Sequence, residues 1–236
     1  VLESMLHFFS KYKLLAIVLT GLSVVIISVI YSVLKPLEVL PVYQPSLVSA
    51  ALVAQDIRHQ KKYHTISDFS LTNQEGQTIT QDTYEGKMYV ADFFFTTCQT
   101  ICPVMTSNML ELQDKLQYNP RVLLLSHTVM PEIDTASQLK KYATQKNINS
   151  AKWNLVTGSK QEIYNLARKQ YLVAKENPDD PLGLVHTENF VLIDTQKRIR
   201  GFYDGTQAQE MDRILHDIDV LQNQGKKSIF FGLINY

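Results

Sequence analysis

The sequence predicts an α/β domain carried behind a single membrane-spanning helix. Three observations lead there: one long uncharged apolar run near the start, strand and helix patterns that alternate from Ile66 onward, and a cysteine pair at a strand-to-helix junction. At 236 residues the chain has room for one substantial domain plus an appendage, since domains usually run to about 100–200 residues.

The apolar run, Leu14 to Leu34, holds no charge and is long enough to cross the ~30 Å hydrocarbon core of a bilayer as a helix. Lys11 and Lys13 precede it, Lys35 follows, and Tyr12 and Tyr31 lie near its ends, where amphipathic rings favour the membrane interface. A cleaved leader would show a shorter apolar stretch with a small-x-small site behind it. Lys35-Pro36-Leu37-Glu38 follows instead, so residues 1–35 are expected to stay as an anchor. Arg58, Lys61 and Lys62 balance the flanking charge, and orientation has to come from the chemistry downstream. Residues 36–62, with Pro36, Pro41 and Pro45, read as a linker holding a helical turn or two near Ser49 to Ile57. The domain proper is expected over 63–222, and 223–236 as a C-terminal tail.

Phe69 to Thr72 and Thr78 to Thr80 flank Asn73-Gln74-Glu75-Gly76, the turn chemistry of a hairpin. Met88 to Phe95 is almost continuously apolar, as in a strand covered on both faces. Pro103 suits the start of a helix, and Met105, Met109, Leu112 and Leu116 give that helix one apolar face. Arg121 to Ser126 is a second buried strand, and Asp134 is placed to cap a helix running through Lys146. Trp153 to Val156 is a short strand, Ser159 opens a helix to about Arg168, and Phe190 to Asp194 pairs with Ile199 to Phe202 across Thr195–Arg198. Gln207 to Leu221 is an amphipathic closing helix. This is the order of a thioredoxin-like fold with an extra N-terminal hairpin.

Lys plus Arg and Asp plus Glu are equal at 23 each, which argues against a nucleic-acid partner, since such domains carry a basic stripe or patch. The two cysteines are too few for a disulfide-stapled scaffold or a zinc ribbon. One close pair leaves a redox dithiol, a soft-metal site or an incidental disulfide. Cys98 lies just past the carboxyl end of a strand, where open α/β sheets place their sites. Cys102 sits near a helix N-terminus, where free N–H groups and the helix dipole favour thiolate. Thiolates are the nucleophiles of disulfide exchange and the soft ligands that select Cu(I). His186, in the loop before the Phe190 strand, is the candidate third ligand, against the default of a surface histidine. His127 is a weaker neighbour, expected to cap or face solvent; His7, His59, His64 and His216 read as linker or surface residues, and Met105 and Met109 as packing.

Taken together, Thr96-Thr97-Cys98-Gln99-Thr100-Ile101-Cys102-Pro103, Ser126 to Thr135, Trp153 to Gly158, His186-Thr187 and Phe190 to Asp194 resemble the Sco/SenC family. The resemblance runs from about Ile66 to Leu221. It implies a membrane-anchored copper protein of cytochrome c oxidase assembly, with Cys98, Cys102 and His186 as ligands to Cu(I) or Cu(II). The implied partner is subunit II of the oxidase, at its CuA centre, or another copper-receiving protein, on the outer side of a bacterial inner membrane. A thiol–disulfide reductase using the same cysteines is the alternative. The family motif usually reads Cys-Pro-Asp-x-Cys-Pro. Gln99 and Thr100 stand at its Pro and Asp here, and losing the acid should ease thiolate formation.

Overall fold

The computed structural model describes residues 12–34, 38–49, 52–54, 56–174 and 187–234, with backbone alone at 32–34 and 225–234. Helix α1, Lys13–Leu34, contains the one described stretch long and apolar enough to cross a membrane, Lys13–Tyr31, with a mean hydropathy of 2.7. It falls in a compact unit separate from Val39–Tyr236.

The second unit is built on a seven-stranded sheet ordered β2-β1-β5-β4-β3-β6-β7. Strands β3 (Met88–Phe94), β4 (Val122–Thr128) and β5 (Trp153–Thr157) run parallel. The crossovers between them carry α2 (Cys102–Leu116) and α3 (Ala136–Lys146). Strands β6 (Asn189–Ile193) and β7 (Ile199–Asp204) form the second hairpin, antiparallel beside β3. The first hairpin, β1 (Ser70–Asn73) and β2 (Thr78–Thr80), pairs antiparallel with β5 at the opposite edge. This is the expected thioredoxin-like sheet with its extra hairpin.

Every residue of β3 and β4 is buried, because the strand period of two feeds two cores. Tyr89, Ala91 and Phe93 enter one, with Ile163 and Tyr164 of α4 (Lys160–Asn165). Met88, Val90 and Phe94 enter the other, where Met105, Met109, Leu112 and Leu116 form the expected apolar face of α2. Met211, Ile214, Ile218 and Leu221 join that second core from α5 (Ala208–Ile234), which runs past the expected end at Leu221. Burial of this many aliphatic side chains, at about 1.5–3 kcal/mol each, is the main force holding both helical layers to the sheet.

Ser159 caps α4 by accepting from the Glu162 N–H, and the helix then widens over Leu166–Gln170, closing with a Tyr171 N–H to Leu166 carbonyl bond of 2.8 Å. Asp134 does not cap α3. Thr135 does, accepting from the Gln138 N–H at 3.3 Å, and Asp134 is fully buried elsewhere.

Within the 36–62 segment, the chain from Val39 belongs to the same compact unit as the sheet. The Tyr43 N–H donates to Ile199 O at 2.9 Å. The Arg200 guanidinium donates to Leu40 O and Pro41 O at 2.7 and 2.9 Å, and Val53 is buried. A three-residue helical turn forms at Pro45–Leu47.

Candidate metal centre

Strand β3 leaves the sheet after Phe94 and the chain turns through Phe95 to Ile101 before α2 begins at Cys102. Pro103 occupies the first turn of α2, where its missing N–H breaks no helical bond. The Cys98 N–H donates to Phe95 O at 3.3 Å and the Met105 N–H to Ile101 O at 3.0 Å. The loop thus closes on itself and hands over directly to the helix.

Asp134 pins this loop from outside. Its carboxylate accepts from the Thr96 N–H at 3.0 Å and from the Thr96 and Thr128 hydroxyls at 2.5 Å each. A buried carboxylate is tolerated when its lone pairs are filled this way. The chain before Cys98 and the end of β4 therefore meet at one side chain. Sequence reasoning missed this role because Asp134 and Thr135 are both good capping types, and only the fold brings Thr96 alongside.

Both cysteines carry free thiols, and they differ. Cys98 is partly exposed and Cys102 buried. Burial works against ionisation of Cys98, but the Thr100 hydroxyl and the Cys102 and Thr100 N–H groups bring its thiol down to about 7. The Thr100 oxygen lies 3.5 Å from the Cys98 sulfur. Thr100 at the motif's acidic position thus supplies a hydrogen bond as well as removing a charge. Burial pushes the Cys102 thiol up to about 12, and the neighbouring Cys98 and Asp92 charges add to the rise.

Asp92 is the unexpected member. It lies in β3 on the same face as Val90 and Phe94, is only 3% exposed, and leaves one carboxyl oxygen without a partner among the described residues. Burial raises it to about 7, partly offset by a hydrogen bond from Ser126. Ser126 in turn accepts from the Trp153 indole N–H at 2.8 Å. A lone acid inside Met88-Tyr89-Val90-Ala91-Asp92-Phe93-Phe94-Phe95 was the available signal.

The histidines sort differently. His186 lies outside the described residues, as does His7. His127 neither caps nor meets solvent: it is fully buried in the core on the sheet face away from Cys102. It stacks on Phe93 at 4.7 Å between ring centroids. His64 is also buried rather than superficial, its Nε2 2.8 Å from Gln170 O. Among the described residues no cluster of three His, Cys, Asp or Glu side chains could hold a metal ion. The two sulfurs form a soft donor pair that needs a further ligand, and as a dithiol they can also close into a disulfide.

The profile of the SCO1/SenC family matches residues 57–222. A SCO1 protein homolog of Bacillus subtilis (strain 168) is 32% identical over 174 residues, which are 73% of this chain and 90% of that protein. Among solved structures, BsSco aligns with a TM-score of 0.60 at 31% identity, over 68% of this chain and 94% of that one. BsSco is described as having a disulfide switch and as a member of the Sco family of cytochrome c oxidase assembly proteins. Arabidopsis thaliana ScoI with copper bound aligns with a TM-score of 0.52 at 27% identity, over 65% of this chain and 97% of that one.

Proposed function

Since the chain belongs to the SCO1/SenC family, we propose that it carries copper for cytochrome c oxidase assembly, with Cys98, Cys102 and His186 as ligands. The observation that carries this reading is the pair of free thiols on one strand-to-helix turn, Cys98 at its exposed side and Cys102 at the first position of α2. Cys98, with its thiol near 7, offers the thiolate on which a soft cation first lands. Cys102 gives up its proton only as a ligand, since metal binding drives thiol deprotonation. Imidazole from His186 would complete a Cys2His set able to hold Cu(I) or Cu(II). Helix α1 anchors the domain, which faces the outer side of a bacterial inner membrane. The recipient is the CuA site of oxidase subunit II or another copper-receiving protein.

Copper retention by the purified full chain tests this. Wild type is expected to hold one copper, with His186→Ala losing it about 10–100-fold more readily, as loss of a ligand does at least what loss of a supporting partner does. Equal retention by His186→Ala would remove His186 from the site. Retention by a Cys98→Ser/Cys102→Ser double variant would overturn the metal reading itself.

The unlike thiols favour a second reading, thiol–disulfide exchange. The Cys98 thiolate would attack a partner disulfide, forming a mixed disulfide and releasing one partner thiolate. Cys102 would then displace the second, leaving the partner reduced and Cys98–Cys102 oxidised. Cys102→Ser should trap the mixed disulfide, whereas failure to trap any partner protein with that variant would count against this reading.

A further inference from the structure

On the described part of the domain, a cleft of about 580 Å³ opens between residues 42–47, residues 61–65 and the β6–β7 turn. That size falls within the range of small-molecule pockets, about 300–1,000 Å³. Lys61, Lys62 and Arg198 line it, and among the described residues no acidic one does. Among the described residues, no ion pair engages Lys61 or Lys62. Arg198 is paired with Asp194, yet that carboxylate is shared with Arg200, so the wall keeps an excess of positive charge.

The walls are built and held. The His64 N–H donates to the Gln44 side chain at 2.9 Å, and both residues are buried. The Ser46 N–H donates to Gln60 O at 3.2 Å, the Tyr43 N–H to Ile199 O at 2.9 Å, and the Ile66 N–H to Lys197 O at 2.8 Å. Between the lysines and His64, Tyr63 takes a φ of +66°, a left-handed conformation rare for so large a residue. Such outliers concentrate at ligand clamps. Tyr63 is also 90% exposed at the cleft, so no packing of its ring accounts for the strained turn.

We propose that this cleft binds a phosphate-bearing anion. Two ammonium groups with no ion-pair partner among the described residues, beside an Arg198 whose Nε and Nη2 are held by Asp194, suit an anion with several oxygens and more than one charge better than they suit a single carboxylate. The phosphomonoester headgroup of phosphatidic acid and a free phosphate share this chemistry. The site stands apart from the thiols and does not rest on the copper reading.

Amide NMR of the full chain in neutral-detergent micelles tests it with two probes, inorganic phosphate and glycerol 3-phosphate, the headgroup fragment of phosphatidic acid. Both should shift resonances of residues 42–47 and 61–65. Lys61→Gln/Lys62→Gln should weaken binding roughly tenfold, while Lys141→Gln/Lys146→Gln, which removes the same charge elsewhere, should not. An unchanged amide pattern outside the cleft shows that the variant is folded. Tighter binding of glycerol 3-phosphate identifies a lipid headgroup as the ligand; tighter binding of phosphate identifies a soluble one. No shifts at the cleft with either probe, or equal affinity in Lys61→Gln/Lys62→Gln, would overturn the proposal.

Discussion

Asp92 and His127 lie on neighbouring strands, one residue step apart in register, yet they face opposite sides of the sheet. Asp92 is paired with Ser126, and Phe93 with His127. On the thiol side, the buried carboxyl rests on Ser126, which rests on Trp153. On the far side, the imidazole is stacked on Phe93 with Tyr171 and Phe69 edge-on. Among the described residues, each group keeps one buried polar atom without a partner, Oδ1 of Asp92 and Nε2 of His127. The carboxyl belongs to a polar chain reaching toward Cys102, whereas the ring is used as an aromatic plate. Equal burial does not mean equal use.

The two groups also bend stability with pH in opposite directions. Asp92 is raised to about 7 from 3.8, so the stability its protonated form contributes is full below 3.8 and is lost as pH rises through about 7. His127 is lowered to about 4 from 6.5, so its contribution is full above 6.5 and is lost as pH falls through about 4. At 1.36 kcal/mol per pKa unit these come to roughly 4 and roughly 3 kcal/mol, over nearly the same window. In the wild type they largely cancel.

Removing one should uncover the other. The largest effect is expected for His127→Phe, which keeps the stacked ring and leaves the Asp92 slope opposed only in part, by His64, whose pKa burial also lowers. Its stability should fall by up to roughly 4 kcal/mol between pH 4 and 8. Urea unfolding of the reduced, metal-free full chain reports this through Trp153, the single tryptophan, which is buried beside Ser126. Asp92→Asn should do the reverse, gaining roughly 3 kcal/mol from pH 4 to 6.5 as His127 loses its proton in the unfolded state. Parallel pH profiles for wild type and both variants would show that neither group titrates as its surroundings require.

Much of this architecture was legible in the sequence because it rests on local pattern. The apolar runs of β3 and β4, the helical spacing of Met105 to Leu116 and the Ser159 cap follow from periodicity and capping chemistry alone. The same holds for the cysteines, since a strand end and a helix start bracket them within a few residues. Asp134, His64 and His127 were not legible, because their partners are fixed by tertiary contacts. Asp134 meets Thr96 38 positions away, and His64 meets Gln170 106 positions away. His127 stands just past the apolar run Arg121 to Ser126, so local pattern reads it as a cap or a solvent-facing residue, and only the continuation of β4 to Thr128 buries it. Asp92 was visible and passed over: one acid in a buried strand breaks the local rule, and such breaks tend to mark sites.

The smallest effect concerns the thiol itself and separates the loop from the carboxyl beneath it. The Thr100 hydroxyl hydrogen-bonds the Cys98 sulfur, while Asp92 bears on Cys102. Thr100→Val keeps the shape and removes the donor, so the Cys98 thiol should rise from about 7 and its thiolate fraction at neutral pH should drop. A net hydrogen bond of about 0.5–1.5 kcal/mol predicts alkylation by iodoacetamide slowed roughly two- to tenfold at pH 7. At pH 9.5, where either protein is mostly thiolate, the rates should converge. Asp92→Asn should leave the Cys98 rate near wild type, because its influence falls on the buried thiol. If Asp92→Asn slows Cys98 as much as Thr100→Val does, the two sulfurs titrate as one unit, and the division between an exposed attacking thiol and a buried partner does not hold.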